Sequence, residues 1–283
     1  MGNLNKPVFD AEDISLLKAI ARHGFVDMGY IYKFYKPNRK KETVMRRIKQ
    51  LAKWDFIHIE KMFEPSGYTL TGKEGYAAIC LDREGHIFLR VLGYEAPNYK
   101  PLLQKAAPYR IYHQVQVATV CDSLELAYKE RDGMFVVDRV LNERDATLSD
   151  QENQPDAMLL FRYNRQEDQG LIAVFLEMER SYARWQRIEA KLDAYVNAVR
   201  KRKYQNELGL PIIAYRVLFV SETISQYDTL RAKIELCESA KKIDVLVARY
   251  FDVCNRGAAR IYQLPIHDRE ESYGLLSSLT SSN

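Results

Sequence analysis

The sequence lacks the features that mark several classes of protein. Its 283 residues contain no apolar run of 18 or more, so a membrane-spanning helix is not expected. The N-terminal segment has no apolar stretch of the kind found in secretory signals, and we expect a cytoplasmic protein with no membrane partner. With 47% hydrophobic and 28% charged residues, the composition is that of a globular chain able to bury a core.

Motifs for soft-metal binding are also missing. The four cysteines form no Cys-x-x-Cys pair, and the five histidines include no His-Glu-x-x-His motif. Scattered cysteines in a cytosolic protein are typically buried and reduced. No cofactor is certain from the sequence, and any metal would be Mg²⁺ or Mn²⁺ for the reasons given below.

Positive charge is present, and it is unevenly placed. The net charge of +4 lies entirely in residues 1–95, which hold 16 Lys or Arg against 12 Asp or Glu. Within residues 36–53 there are eight basic residues and one acid, Glu42. Such a concentration indicates a phosphate-binding surface, although the solvated face of a helix gives the same pattern.

Residues 1–95 predict a winged helix-turn-helix domain. Apolar spacing indicates a helix that begins near Asp10 or Asp13, a second over about 27–35, and a third after Pro37. On the third helix, an apolar face is opposed by basic side chains, as in a helix that reads the DNA major groove. The candidate DNA contacts are Arg39, Lys40, Thr43, Arg46, Arg47, Lys49 and Lys53.

A β-hairpin is predicted to follow as the wing. Residues 57–62 alternate like a strand, 64–67 form a turn, and 68–70 return. Thr71 and Glu74 then have capping-box spacing, which predicts a helix through Tyr76 and Ile79. The alternative is a winged-helix fold that contacts protein instead of DNA.

The rest of the chain predicts a second domain. Several prolines occur in residues 96–111, and we interpret this segment as a linker. We interpret residues 269–283 as a frayed tail. Residues 112–268 alternate in the order α-β-β-β-α-β-α-β, with a long helix over about 182–205. The fold class is therefore α/β, with a three-layer α/β domain after the winged helix-turn-helix.

Three carboxylates are predicted to meet at one strand end of this domain. Asp156 begins the second strand, and Glu177 and Glu179 end the third on a shared face. If the two strands pair there, the oxygen donors suit Mg²⁺ or Mn²⁺, which activates water against a phosphodiester. Alternatively, the acids pair with the arginines that follow them, such as Arg180.

This element order and the Asp…Glu-x-x spacing resemble the PD-(D/E)XK nuclease fold. The resemblance implies a catalytic set of Asp156, Glu177, Glu179 and Lys191 if the protein is active. The family pattern has Lys where this sequence has Glu179, so Lys191 would have to reach back from the next helix. An inactive domain could still bind DNA, because residues 180–203 contain eight basic side chains, among them Arg187.

As a whole, the chain resembles the replication-relaxation family of plasmids and conjugative elements. The matching segments are 68–71 before the last N-terminal helix, 175–180, and 191–195. The resemblance implies a double-stranded DNA-binding accessory protein that acts in replication or relaxation at an origin. Relaxase or other mobilisation proteins are then candidate partners, whereas the oligomeric state stays open.

Two other functions stay open from the sequence. The first is a metal-dependent endonuclease of the PD-(D/E)XK type, which uses the acidic residues. The second is a winged-helix transcription regulator whose second domain binds a ligand or a partner.

Overall fold

The computed structural model describes residues 8–62, 76–130, 135–150, 154–163, 170–179, 185–257 and 261–264, together with Leu276. It is a mixed α/β protein with two sheets. Contacts divide the chain into two units, residues 1–118 and 119–283. The boundary lies inside the 23-residue helix α6 (Pro108–Glu130). The segment 96–111, expected as a linker, contains helix α5 (Lys100–Lys105) and the start of α6.

The first unit surrounds a small sheet with helices. Its strands are antiparallel in the order β1-β3-β2. The elements that precede α5 are α1 (Ala11–His23), β1 (Val26–Asp27), α2 (Met28–Phe34), α3 (Lys41–Lys53), β2 (Ile57–Met62), β3 (Tyr76–Leu81) and α4 (Arg83–Val91). The core draws on all three leading helices, through residues such as Leu17, Ile31 and Ile48.

Helix α1 begins directly after Asp10, one of the two caps that the sequence predicts. The Asp10 carboxylate accepts a hydrogen bond from the Asp13 N–H at 2.8 Å, and the Asp13 carboxylate accepts one from the Asp10 N–H at 3.2 Å. This reciprocal pair is a capping box. At the other end, Gly24 has a φ of 82°, a conformation that side chains with a Cβ rarely adopt.

The prediction of a helix through Tyr76 and Ile79 is wrong. The structure places strand β3 there, paired along its whole length with β2, and the next helix, α4, begins only after Asp82. The segment contains two alanines, which favour a helix, but residues 78–81 are all buried, and sheet pairing in the core overrides local propensity. The predicted turn at 64–67, the strand at 68–70 and the cap at Thr71 lie outside the described residues.

The second unit is built on a mixed sheet in the order β4-β5-β6-β7-β8-β9. After α6 its elements are β4 (Phe135–Asn142), α7 (Glu143–Ala146), β5 (Ala157–Tyr163), β6 (Leu171–Glu179), α8 (Trp185–Arg200), α9 (Lys203–Leu208), β7 (Ile212–Ser221), α10 (Ile224–Glu235), a 3-10 helix (Glu238–Lys241), β8 (Asp244–Arg249), α11 (Tyr250–Arg256) and β9 (Tyr262–Leu264). Strands β4 to β6 are antiparallel, β6 to β8 are parallel, and β9 is antiparallel to β8.

Helices α8 and α10 pack on one face of this sheet. Ile188 and Leu192 of α8 and Leu230 of α10 share a core cluster with Ala173 and Phe175 of β6. Because side chains alternate along a strand, Glu177 and Glu179 project to the same face as these two β6 residues. The second unit thus directs both glutamates toward α8.

The long helix predicted over 182–205 is two helices in the structure. Helix α8 ends at Arg200, and Arg202, with a φ of 53°, is the N-cap of α9. A left-handed residue cannot continue an α-helix, so the chain changes direction at this point. Periodicity alone misses the break, because Tyr195 and Tyr204 are both buried in the same core cluster.

Candidate functional site

One side of α3 carries a row of exposed basic residues. Val44, Ile48 and Leu51 are at most 1% exposed and hold the opposite side of the helix in the core. The 3.6-residue period therefore turns the positions between them outward. The exposed residues that the sequence predicts as DNA contacts are Arg39, Lys40, Thr43, Arg46, Lys49 and Lys53.

A surface depression of about 670 Å³ runs along this side of α3. Its lining residues are Lys36, Arg39, Thr43, Val44, Arg46, Arg47, Lys49, Gln50 and Lys53. No acidic side chain from the described part of the chain lines it, although Glu42 belongs to the same helix. We call this surface the basic groove; its charge suits a polyanion.

Arg47 is turned inward, although the sequence predicts it as a DNA contact. Its Nε donates to Oδ1 of Asp13 at 3.1 Å, and its Nη2 donates to Oδ2 of the same residue and to the Val8 carbonyl. The guanidinium also lies over the rings of Phe9 and Trp54. Arg47 therefore anchors α3 within the first unit, and its guanidinium is already paired with Asp13 at the edge of the basic groove, where the sequence predicts a DNA contact.

Asp13 is the point that joins three elements of the first unit. It is 1% exposed and accepts hydrogen bonds from Arg47 of α3 and from the hydroxyl of Tyr35, which follows α2. Burial acts to raise the pKa of Asp13, but the hydrogen bonds from Arg47 and Tyr35 outweigh it and leave that pKa lowered. Burial and the neighbouring Asp13 charge raise the pKa of Tyr35. An ionised Asp13 thus fixes α3 through Arg47, a residue that also lines the basic groove.

The acidic residues of the second unit lie together at the end of β6. Glu177 and Glu179 are 1% and 5% exposed, and Asp156 lies next to Glu177 where the β5–β6 register continues by one residue. The Asp156 N–H donates to the Leu176 carbonyl at 3.0 Å, and the Met178 N–H donates to the Asp156 carboxylate at 2.6 Å. Asp156 therefore closes the end of the β5–β6 pair.

Lys191 of α8 reaches into this cluster. Its ammonium donates to Oε2 of Glu177 and, at 3.3 Å, to Oε1 of Glu179. Oε1 of Glu177 accepts a hydrogen bond from the hydroxyl of Tyr195, whose ring stacks on Phe175 with 4.6 Å between centroids. The Tyr195 ring is buried in the core, and sequence reasoning missed its hydroxyl contact. The i, i+4 spacing of Lys191 and Tyr195 was the available signal.

Burial and neighbouring charge shift the pKa values of this cluster. Burial raises the pKa of Glu177 to about 7, and the Asp156 charge adds to the rise despite the opposing effect of Lys191. Burial acts to lower the pKa of Lys191, but the charges of Glu177 and Glu179 outweigh it and raise that pKa. Burial and the Glu177 charge raise the pKa of Tyr195. The ammonium therefore stays protonated while the Glu177 carboxyl titrates near neutrality.

The cluster does not fit the Mg²⁺ or Mn²⁺ site that the sequence allowed. Among the residues with described positions, no group of three or more His, Cys, Asp or Glu side chains is arranged to hold a metal ion. Both Glu177 oxygens and Oδ2 of Asp156 accept hydrogen bonds from protein donors, namely Lys191, Tyr195 and the Met178 N–H. The structure thus brings the predicted ligands together, but at least four of their six carboxylate oxygens accept hydrogen bonds from protein donors instead.

Arg187 lies apart from this cluster. It is exposed on α8, where Ile188 is the neighbouring buried residue. Lys191, one turn further on, is directed at the glutamates instead. Of these two basic residues, Arg187 is the one available to an external anion.

The two sheets with their helices define an α/β protein, and the family comparison identifies the group to which it belongs. The family model described as replication-relaxation matches residues 17–211, which is more than half of the chain. The chain therefore belongs to the replication-relaxation family. Comparison with curated proteins and with solved structures gave no match. In the described part of the chain, no helix has both the length and the apolar character needed to cross a membrane.

Proposed function

We propose that this protein binds double-stranded DNA through the exposed side of α3 and acts as an accessory factor in DNA processing, relaxation or replication at the origin of a plasmid or conjugative element. The observation that carries the proposal is the basic groove. Its lining includes the outward Arg46, Lys49 and Lys53 on a helix whose other side is fixed in the core, and Arg39 just before that helix. Membership in the replication-relaxation family supports the cellular role.

The surroundings of α3 support a winged helix-turn-helix. Three helices precede the antiparallel pair β2–β3, and α4 follows. In that fold the third helix enters the major groove, which is wide enough to admit one α-helix. In this arrangement Arg46 reads a base edge and Lys49 contacts phosphate, with Arg39, Lys40, Thr43 and Lys53 around them.

The second unit supports the same function as a PD-(D/E)XK-like platform. Three antiparallel strands, a helical crossover and a parallel strand follow one another in β4 to β7, which is the element order of that fold. We assign it a DNA-contacting role through Arg187 rather than endonuclease activity, because the acidic oxygens accept protein donors. Cytoplasmic localisation and contact with a relaxase belong to the same proposal.

The test is DNA binding by the full-length double variant Arg46→Ala, Lys49→Ala. Each base-edge contact contributes about 1–3 kcal/mol, and each phosphate contact adds about one to the slope of log affinity against log salt. We expect weaker binding to a fluorescent duplex and a shallower salt dependence, measured by anisotropy. Arg83→Ala, Arg90→Ala removes the same charge from exposed positions on α4 and serves as the matched control.

The outcome that contradicts the proposal is equally concrete. If the α3 variant and wild type bind duplexes equally well at low salt, the first unit is a protein-interaction module. Equal losses in the α3 and α4 variants would show that only total charge matters. A preference of wild type for one duplex sequence that disappears with Arg46→Ala would establish base reading.

A further inference from the structure

The carboxylates of β6 already hold a cation that belongs to the protein. Glu177 and Glu179 project to one face of the sheet, and the ammonium of Lys191 contacts both. Two buried and charged carboxylates without a counter-charge would be strongly unfavourable, so a cation at this point stabilises their ionised form. The chain supplies it from α8.

The position of this ammonium is fixed by packing. Ile188, Leu192 and Tyr195 of α8 are each at most 1% exposed, and they surround Lys191 on the helix surface at spacings of one to four residues. The side chain of Lys191 is itself only 24% exposed. An ammonium has three donors and no acceptor, so it can bridge two carboxylates as a divalent ion does. Its stem, however, cannot leave the site without disturbing the packing around it.

We propose that Lys191 is the resident cation of the Glu177–Glu179 pair and that it excludes divalent metal from this site. A hard divalent ion needs about six oxygen ligands at close range. Here Lys191 bridges the two glutamates, Tyr195 donates to Glu177, and Asp156 accepts the Met178 N–H. The ammonium therefore balances the charge of the two glutamates without a metal, and its removal opens a site for Mg²⁺ or Mn²⁺.

The test compares Mn²⁺ binding by full-length wild type, Lys191→Ala and Lys191→Arg, followed by electron paramagnetic resonance of free Mn²⁺ and by thermal unfolding. We expect no site-specific binding by wild type or Lys191→Arg. Lys191→Ala should gain one Mn²⁺ and a rise of about 2–4 °C in the unfolding midpoint at millimolar Mn²⁺. The double variant Lys191→Ala, Glu179→Gln should lose that gain, because it removes one of the two carboxylates that would bind the ion.

Two results would overturn the proposal. One is Mn²⁺ binding by wild type that Glu179→Gln abolishes, since the cluster would then accept metal with Lys191 in place. The other is a folded Lys191→Ala that binds no Mn²⁺. If Lys191→Ala does not fold, Lys191→Gln, which also removes the ammonium, takes its place in the assay with the same two outcomes. The assay contains no DNA, so its failure is separate from failure of the proposed DNA binding.

Discussion

Each unit of the protein buries one carboxylate that accepts hydrogen bonds from a basic side chain and from a tyrosine hydroxyl. In the first unit this residue is Asp13, and in the second it is Glu177. The donors are of the same types, yet the pKa of Asp13 is lowered, whereas that of Glu177 is raised to about 7. The contrast shows that the immediate donors do not decide the protonation state alone.

Two differences account for the opposite shifts. Burial is the largest influence on the pKa of both residues. Asp13, however, accepts two guanidinium hydrogen bonds from Arg47 and a further hydrogen bond from the Asp10 N–H. Glu177 has a single ammonium partner that it shares with Glu179, and the charge of Asp156 repels it. Bidentate pairing overcomes burial in the first unit, whereas a shared partner and a neighbouring like charge leave burial dominant in the second.

The two shifts give opposite pH dependences of stability. The pKa of Asp13 is lowered on folding, so its contribution is present above the ordinary value of 3.8 and is lost as the pH falls through the folded value. The pKa of Glu177 is raised, so its contribution is full below 4.5 and is lost as the pH rises through about 7. As the pH falls below 7, the contribution of Glu177 to the stability of the second unit therefore increases before the contribution of Asp13 to the first unit is lost.

The largest expected effect comes from breaking the pair in the first unit. Arg47→Ala leaves the buried Asp13 charge without its main partner, which should lower the free energy of unfolding by about 3 kcal/mol at pH 7. Urea denaturation measures this loss. Asp13→Asn combined with Arg47→Ala removes both charges and should recover part of it. A loss below about 0.5 kcal/mol would mean that Arg47 behaves as a surface residue.

A smaller effect is expected from the corresponding change in the second unit. Lys191→Met keeps the length of the side chain but removes its charge, and we expect a loss of about 2 kcal/mol at pH 8. The loss should shrink at pH 5.5, because Glu177 can take up a proton instead of staying charged. Denaturation at the two pH values checks this. Equal losses at both would contradict the raised pKa of Glu177.

The smallest effect on stability is expected on the outer side of α3. Arg46→Ala and Lys49→Ala remove exposed charges, so each should change the free energy of unfolding by less than about 0.5 kcal/mol. Urea denaturation measures the loss of stability in each single variant. Comparison with Arg47→Ala on the same helix distinguishes exposed basic side chains from one that is paired internally. A large loss from either variant would place its side chain in an internal contact.

Local pattern predicted much of the fold. The predicted apolar face of the third helix is the inner side of α3, formed by Val44, Ile48 and Leu51, and the predicted order α-β-β-β-α-β-α-β recurs in the second unit apart from its short helices. Prediction failed where long-range pairing overrode local preference, as in β3, and where a single residue, Arg202, divides α8 from α9. Periodicity does not report either effect, because both depend on the tertiary structure.

Part of the candidate site was also predictable from the sequence. Sequence spacing placed Glu177 and Glu179 on one face, and the resemblance to the PD-(D/E)XK fold implied that Lys191 reaches back toward them, as it does in the structure. The inward turn of Arg47 was not predictable, because its partner Asp13 lies 34 residues away in the chain. Charge alone cannot distinguish a basic residue that binds a ligand from one that neutralises a buried acid.

The completely buried strand β6 has a consequence for the newly made polypeptide. Residues 171–176 are six consecutive apolar residues, and Glu177 and Glu179 follow at once. Such a run, when exposed in an unfolded chain, associates with copies of itself in β-aggregates, and adjacent charges oppose this. Both carboxyls are ionised at neutral pH in the unfolded chain. Until α8 is synthesised and covers the strand, the two glutamates therefore act as gatekeepers that keep nascent chains apart.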